Sequence, residues 1–138
     1  MNATTTVPLF VNGEGMQGGS VHHSIAGHPF LGPARTAARY RFYSVRDEFP
    51  ALWPDDVAGV PVDGELYDVP LAVIRDSFMP SEPPELELGV LEMQDGSSAL
   101  AVLLRPDVHH SGAGLTDISE LGAWRAYRRT REQGAKPA

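Results

Sequence analysis

The chain has 138 residues, 42% of them hydrophobic and 21% charged, which suits a single domain with its own core. Its net charge of −7 works against binding a phosphate backbone, and the absence of cysteine excludes disulfides, thiolate catalysis and Cys-ligated zinc. Residues Met1–Phe10 carry neither the basic nor the apolar region of a signal peptide, and no stretch reaches the ~18 apolar residues of a membrane span, so a cytoplasmic protein without membrane or nucleic-acid partners is expected.

Residues 1–6 are polar and read as a disordered N-terminus. Val7–Val11 is a short apolar run, predicted as a buried first strand. Four glycines follow within Asn12–Gly19, a density that no helix or strand holds cheaply, so the segment is a loop. Ser20 is expected to cap a short helix to about Ala26, stopped by Gly27. Strands are predicted over His28–Gly32, Thr36–Val45 and Val60–Tyr67, with Pro50–Pro54 extended. Asp68–Phe78 reads as a helix with Pro70 in its first turn, and Met79–Glu85 as a proline-stiffened linker. Leu86–Met93 and Ser98–Leu104 form a hairpin about Asp95-Gly96. Arg105–Gly114 is expected to be a loop, and Asp117 or Thr116 to cap a last helix, Ile118 to about Arg131. One domain over residues 7–131 with a disordered tail 132–138 results, of α+β class, with a small mixed, barrel-like sheet and flanking helices.

The glycine loop after a first strand is the leading candidate site. It lacks the Lys-Ser/Thr ending of a P-loop and the spacing of a dinucleotide fingerprint. Its bare backbone can still offer N–H groups to an anion or carboxylate, or it is a strained structural turn. His23, just past the loop, suits proton transfer because a histidine titrates near neutrality. The pairs His22-His23 and His109-His110 match no metal-ligand spacing, so no metal is assigned. Glu82 or Glu85 becomes a general base if a pocket desolvates it, and is otherwise part of an acidic linker. Arg35, Arg39, Arg41 and Arg46 cluster in one segment, able to fix a carboxylate or to form salt bridges on a strand face; Glu65 is a candidate partner for an arginine. In the last helix Ile118, Leu121 and Trp124, spaced by three, are expected to face the core.

Several runs resemble the γ-glutamylcyclotransferase-like superfamily. Phe10–Met16 stands where its members carry a Tyr-Gly-Ser/Thr-Leu turn, Phe30–Tyr43 looks like the second signature, and Gly64–Val69 is similar to a Gly-Glu-hydrophobic-Tyr stretch. Within that superfamily the chain is most similar to the C-terminal domain of allophanate hydrolases, through Gly18–His23, the hairpin Gly89–Ser97 and the aromatic helix Asp117–Tyr127. The turn departs from the superfamily pattern in lacking its Tyr and its Ser or Thr.

The resemblance implies a pocket at the first turn, with Asn12, Gly13, Glu14, Gly15 and Met16 binding a small carboxylate or amide, helped by Arg39 or Arg41. Cyclotransferases use a Glu between helix and hairpin as general acid/base, and Glu82 falls in about that place. Allophanate hydrolase domains lack that Glu and depend on a His after the turn, matched by His23, to process a small carboxylated urea derivative by decarboxylation. No cofactor is implied. The alternative reading is a non-catalytic small-ligand-binding or accessory module of an amidase, which would be separately encoded, and an exposed aromatic last helix would permit a homodimer.

Overall fold

A computed structural model of the chain describes residues 5–134. The expectations for residues 1–4 and 135–138 lie outside the described residues. Eight strands form two sheets. The larger has five strands in the order β2-β5-β1-β7-β6, and the smaller has three in the order β4-β3-β8. Their ranges are β1 Thr6–Val11, β2 Phe30–Arg35, β3 Tyr40–Val45, β4 Phe49–Pro54, β5 Asp63–Pro70, β6 Leu86–Glu92, β7 Ser98–Leu104 and β8 Leu115–Asp117. The class is α+β, as expected. The sheet is not closed into a barrel, however: it is split in two, and β2 and β6 remain edges of the larger part.

Strand β1 lies at the centre, antiparallel to β5 with Leu9 opposite Tyr67, and parallel to β7 with Leu9 opposite Leu100. Pro8 has no N–H to give a ladder, yet sits in this central strand because the pairing to β7 is made at Leu9. Leu9, Phe10 and Val11 are buried, in a core with Phe42, Leu52, Val69 and Leu91. A second cluster, Val45, Phe49, Ala51, Leu86 and Leu104, fills the space between the smaller sheet and the β6–β7 hairpin. Strand β1 ends at Val11, where the glycine turn leaves the core.

Strand β5 starts later and runs further than the pattern predicts. Its pairing with β1 continues to Thr6–Pro70, which takes Asp68 and Val69 out of the expected helix. Pro70, extended at φ −60° and ψ 141°, then precedes a helical segment: one α-turn, Leu71–Val73 (α1), a π-helical stretch Ile74–Phe78 that buries Ile74 and Phe78, and a 3-10 turn Met79–Ser81. The expected linker is thus partly helical, and this brings Glu82 onto the body of the domain.

Three further differences have local causes. Only His22–Ser24 coils after the glycine loop, as a 3-10 turn. The expected loop before Gly114 contains helix α2, Pro106–Ser111, closed by Gly112 in the left-handed conformation. The last helix, α3, spans Trp124–Gly134 and not Ile118–Arg131. Residues Leu115–Asp117 pair with β3, Gly122 at φ 62° interrupts the chain, and Asp117 accepts from Ser119 N and Arg41. Ile118 and Trp124 are buried, whereas Leu121 is 43% exposed. Trp124 and Tyr127 are buried within the chain, so α3 turns arginines and not aromatics outward, and the exposed aromatic face invoked for a homodimer is not present. No helix among the described residues is long and apolar enough to cross a membrane.

Candidate functional site

The turn leaves β1 at Val11 and is drawn tight by three bonds: Met16 N to Gly13 O at 3.1 Å, Gly19 N to Met16 O at 2.9 Å and Val21 N to Glu14 O at 3.0 Å. The N–H groups of Gly13, Glu14 and Gly15 have no protein acceptor among the described residues. Two glycines are fixed by contact. A Cβ on Gly19 would overlap the Glu14 carbonyl, and one on Gly13 would lie 2.5 Å from Pro50 Cδ. The chain therefore crosses itself at Gly19 and lies flat against β4 at Gly13.

Between this turn and its neighbours lies a cavity of about 120 Å³. Asn12–Gly15, Ser20 and Val21 form one side; Glu48, Phe49 and Pro50 the second; Phe78, Ser81, Glu82 and Pro83, at the end of the helical segment, the third. Leu86 and Val102, on β6 and β7, complete it. Asn12 is buried, 7% exposed, and its Nδ2 has no hydrogen-bond partner among the described residues. A buried donor left unmet costs about 1–3 kcal/mol.

Glu82 is the only lining carboxylate with no ion pair or hydrogen bond among the described residues. Burial pushes its pKa up to about 7, so it changes protonation near neutrality. Glu48 pairs with Arg46 at 3.0 Å. Glu14 directs its carboxylate away from the cavity, accepting from Trp124 Nε1 at 2.8 Å, Ser20 N at 3.1 Å and Arg128 Nη1 at 3.3 Å. Burial works to raise the Glu14 pKa, but the bonds from Trp124 and Ser20 and the charge of Arg128 outweigh it and hold the group below the usual carboxylate range. The turn is thereby tied to α3. Buried Glu65 makes a second tie, accepting from Gln17 N at 2.9 Å, Tyr67 Oη at 3.0 Å and Arg125 Nη2 at 3.3 Å.

Of the residues picked from sequence, Asn12, Gly13, Glu14, Gly15 and Glu82 come together in this cavity. Met16 is buried but lines the grooves beside α3. His23 is exposed and does not line the cavity; its neighbour His22 donates through Nδ1 to Gly15 O at 2.9 Å, behind the turn. Arg39 is paired with Asp56 at 3.0 Å and Glu92 at 3.2 Å, and Arg41 with Asp117 at 2.7 Å; neither reaches the cavity. Glu85 is paired with Arg46 at 2.6 Å. A larger groove of about 750 Å³ between α3 and β2 is lined by Arg35 and Arg125, but these pair with Asp63 and Glu65. Sequence reasoning missed the walls Phe49, Pro50, Phe78 and Ser81, which come from distant segments and carry no local signal.

The model of the allophanate hydrolase C-terminal domain matches residues 7–129. Among solved structures, a uropathogenic E. coli-specific protein is 36% identical, with a TM-score of 0.81, over 90% of this chain and 96% of its own. The allophanate hydrolase of Kluyveromyces lactis is 22% identical, with a TM-score of 0.82, over 91% of this chain but 21% of its own, so the chain spans about a fifth of that enzyme. An AIG2-like protein from Mus musculus is 22% identical, with a TM-score of 0.52, over 74% of this chain and 81% of its own. The last two likenesses are of fold, which is γ-glutamylcyclotransferase-like. No curated protein matches the chain in sequence.

Proposed function

The chain belongs to the allophanate hydrolase C-terminal domain family, and from that premise we propose that it acts on a small carboxylated amide or urea-derived compound held in the cavity at the glycine turn. The observation that carries this reading is Glu82: a carboxyl that titrates near 7 and has no protein partner among the described residues, in the same cavity as the unengaged amides of Gly13–Gly15. The N–H groups suit a substrate carboxylate or carbonyl oxygen. Neutral Glu82 suits a general acid.

For an N-carboxylated compound, the bond between nitrogen and the carboxyl carbon breaks, CO₂ leaves, and the electron pair goes to nitrogen. Nitrogen takes the proton of Glu82, which solvent then restores. Cyclising cleavage of an amide would use the same carboxyl as base and then acid; the family match favours the decarboxylating route, with Glu82 here taking the place of the histidine that the resemblance implies. An amidase that delivers the carboxylated compound is the partner this chemistry calls for.

The test is CO₂ release when an allophanate-cleaving amidase generates the compound in the presence of the chain. Glu82→Gln is expected to lower turnover at least 100-fold, within the usual range for a lost general acid, and His23→Ala to leave it within about 3-fold. Full activity in Glu82→Gln removes Glu82 from the mechanism. Ligand binding without turnover in the parent chain makes the cavity the binding site of an accessory module.

A further inference from the structure

Resting on the reading of the cavity as a ligand site, we propose that a small carboxylate enters it together with one proton, which Glu82 binds, so that the arrival of the ligand itself makes Glu82 the acid that the reaction needs. The charges of the walls and the size of the cavity carry this inference.

Every charged side chain that lines the cavity is a carboxylate: Glu14 in the glycine turn, Glu48 just before β4, and Glu82 in the segment before β6. Leu86 and Val102, the residues that β6 and β7 contribute, are apolar. Arg128 offsets Glu14 from outside the cavity, and Arg46 offsets both Glu48 and Glu85. Neither arginine lines the cavity. Among the described residues, Glu82 alone of the three lining carboxylates has no counter-charge. A cavity of about 120 Å³ is roughly 5 Å across, so a carboxylate inside it lies close enough to Glu82 for like charges to repel strongly. The amides of Gly13–Gly15 can hold such a carboxylate, but an ionised Glu82 would then face it with no cation between them. A proton on Glu82 removes the repulsion and supplies an O–H that donates to the ligand. Burial already holds the Glu82 pKa at about 7, and a bound anion raises it further, so solvent supplies the proton near neutrality. This is the proton that nitrogen takes in the decarboxylating step.

Malonate, whose own carboxyls stay ionised from pH 6.5 to pH 9, is the probe. Calorimetric titration of the full chain at pH 8, in Tris and in HEPES, counts the proton, because the two buffers differ in the heat of releasing one. Uptake of about half a proton or more per malonate is expected, with an affinity ~10-fold or more weaker at pH 9 than at pH 6.5. Glu82→Gln, neutral at every pH, should bind malonate without proton uptake and with an affinity constant within about 3-fold over that range. Malonate that shifts the amides of Asn12–Val21 but brings no proton overturns the inference and leaves the cavity as the site. Uptake that persists in Glu82→Gln gives the proton to another group and also overturns it. Failure of malonate to bind overturns the inference, and the Glu82→Gln turnover assay then decides the functional reading separately. Amide shifts confined to α3, away from Asn12–Val21, would overturn both.

Discussion

Glu82→Gln isolates the cost of keeping an ionisable carboxyl in the cavity. Burial raises its pKa to about 7 from an ordinary 4.5. The folded chain therefore holds this proton more tightly than the unfolded chain does. The contribution of the neutral carboxyl is complete below about pH 4.5 and is lost as pH rises through about 7. At 1.36 kcal/mol per pKa unit the full difference is ~3 kcal/mol; part of the charge is screened by solvent at the cavity mouth, so ~2–3 kcal/mol is expected. Glutamine has nearly the same shape and no titration. Parent and variant should therefore have similar stability near pH 4.5, and at pH 8.5 the variant should be the more stable by ~2–3 kcal/mol. Urea denaturation at a series of pH values measures this, with the midpoint shift converted through a shared m-value. Stability curves that stay parallel from pH 4.5 to 8.5 would refute the account of Glu82 as a desolvated, unpartnered carboxyl.

Other substitutions test the frame around the cavity. Gly19→Ala places a Cβ against the Glu14 carbonyl and should destabilise by ~2 kcal/mol or more in the same urea assay; a neutral result would mean that the chain does not cross itself at this point. Trp124→Phe keeps the ring packed against Tyr127 but removes the 2.8 Å bond to Glu14, and is expected to cost ~1.5–3 kcal/mol, visible as a lower thermal midpoint. Glu65→Gln removes the charge that gathers Gln17 N, Tyr67 Oη and Arg125, with a loss of ~2–3 kcal/mol and faster hydrogen exchange at Gln17 N; unchanged exchange there would place the loop's anchor elsewhere.

Elements that carry their own instructions were legible in the sequence. The hairpin β6–β7 follows from apolar-rich runs on either side of Asp95-Gly96, and Gly96 adopts φ 88° as such a turn requires. The glycine turn is where four glycines in eight residues demand close approach. Helix α2 was also encoded, with Pro106 at its start, Asp107 in its first turn, His109 and His110 in its last and Gly112 after it. The end of β5 was not legible, since only its pairing with β1 keeps Asp68–Pro70 extended. Arg39 and Arg41 show the same limit at the level of charge. A cation suited to a substrate carboxylate reads the same as one already held by Asp56, Glu92 or Asp117, because those partners are set by the fold. For Glu82 the residue and its place before the hairpin were visible, but the burial that raises its pKa depends on distant segments: the turn, Phe49 and Phe78.

A crystal structure of the chain with malonamate tests the central claim most directly. The probe, a stable amide with one carboxylate, is predicted to lie between the glycine turn and Glu82, with the Glu82 carboxyl in contact with it. Malonamate seated in the groove beside α3, with the turn cavity unoccupied at saturating concentration, would contradict the assignment of the site.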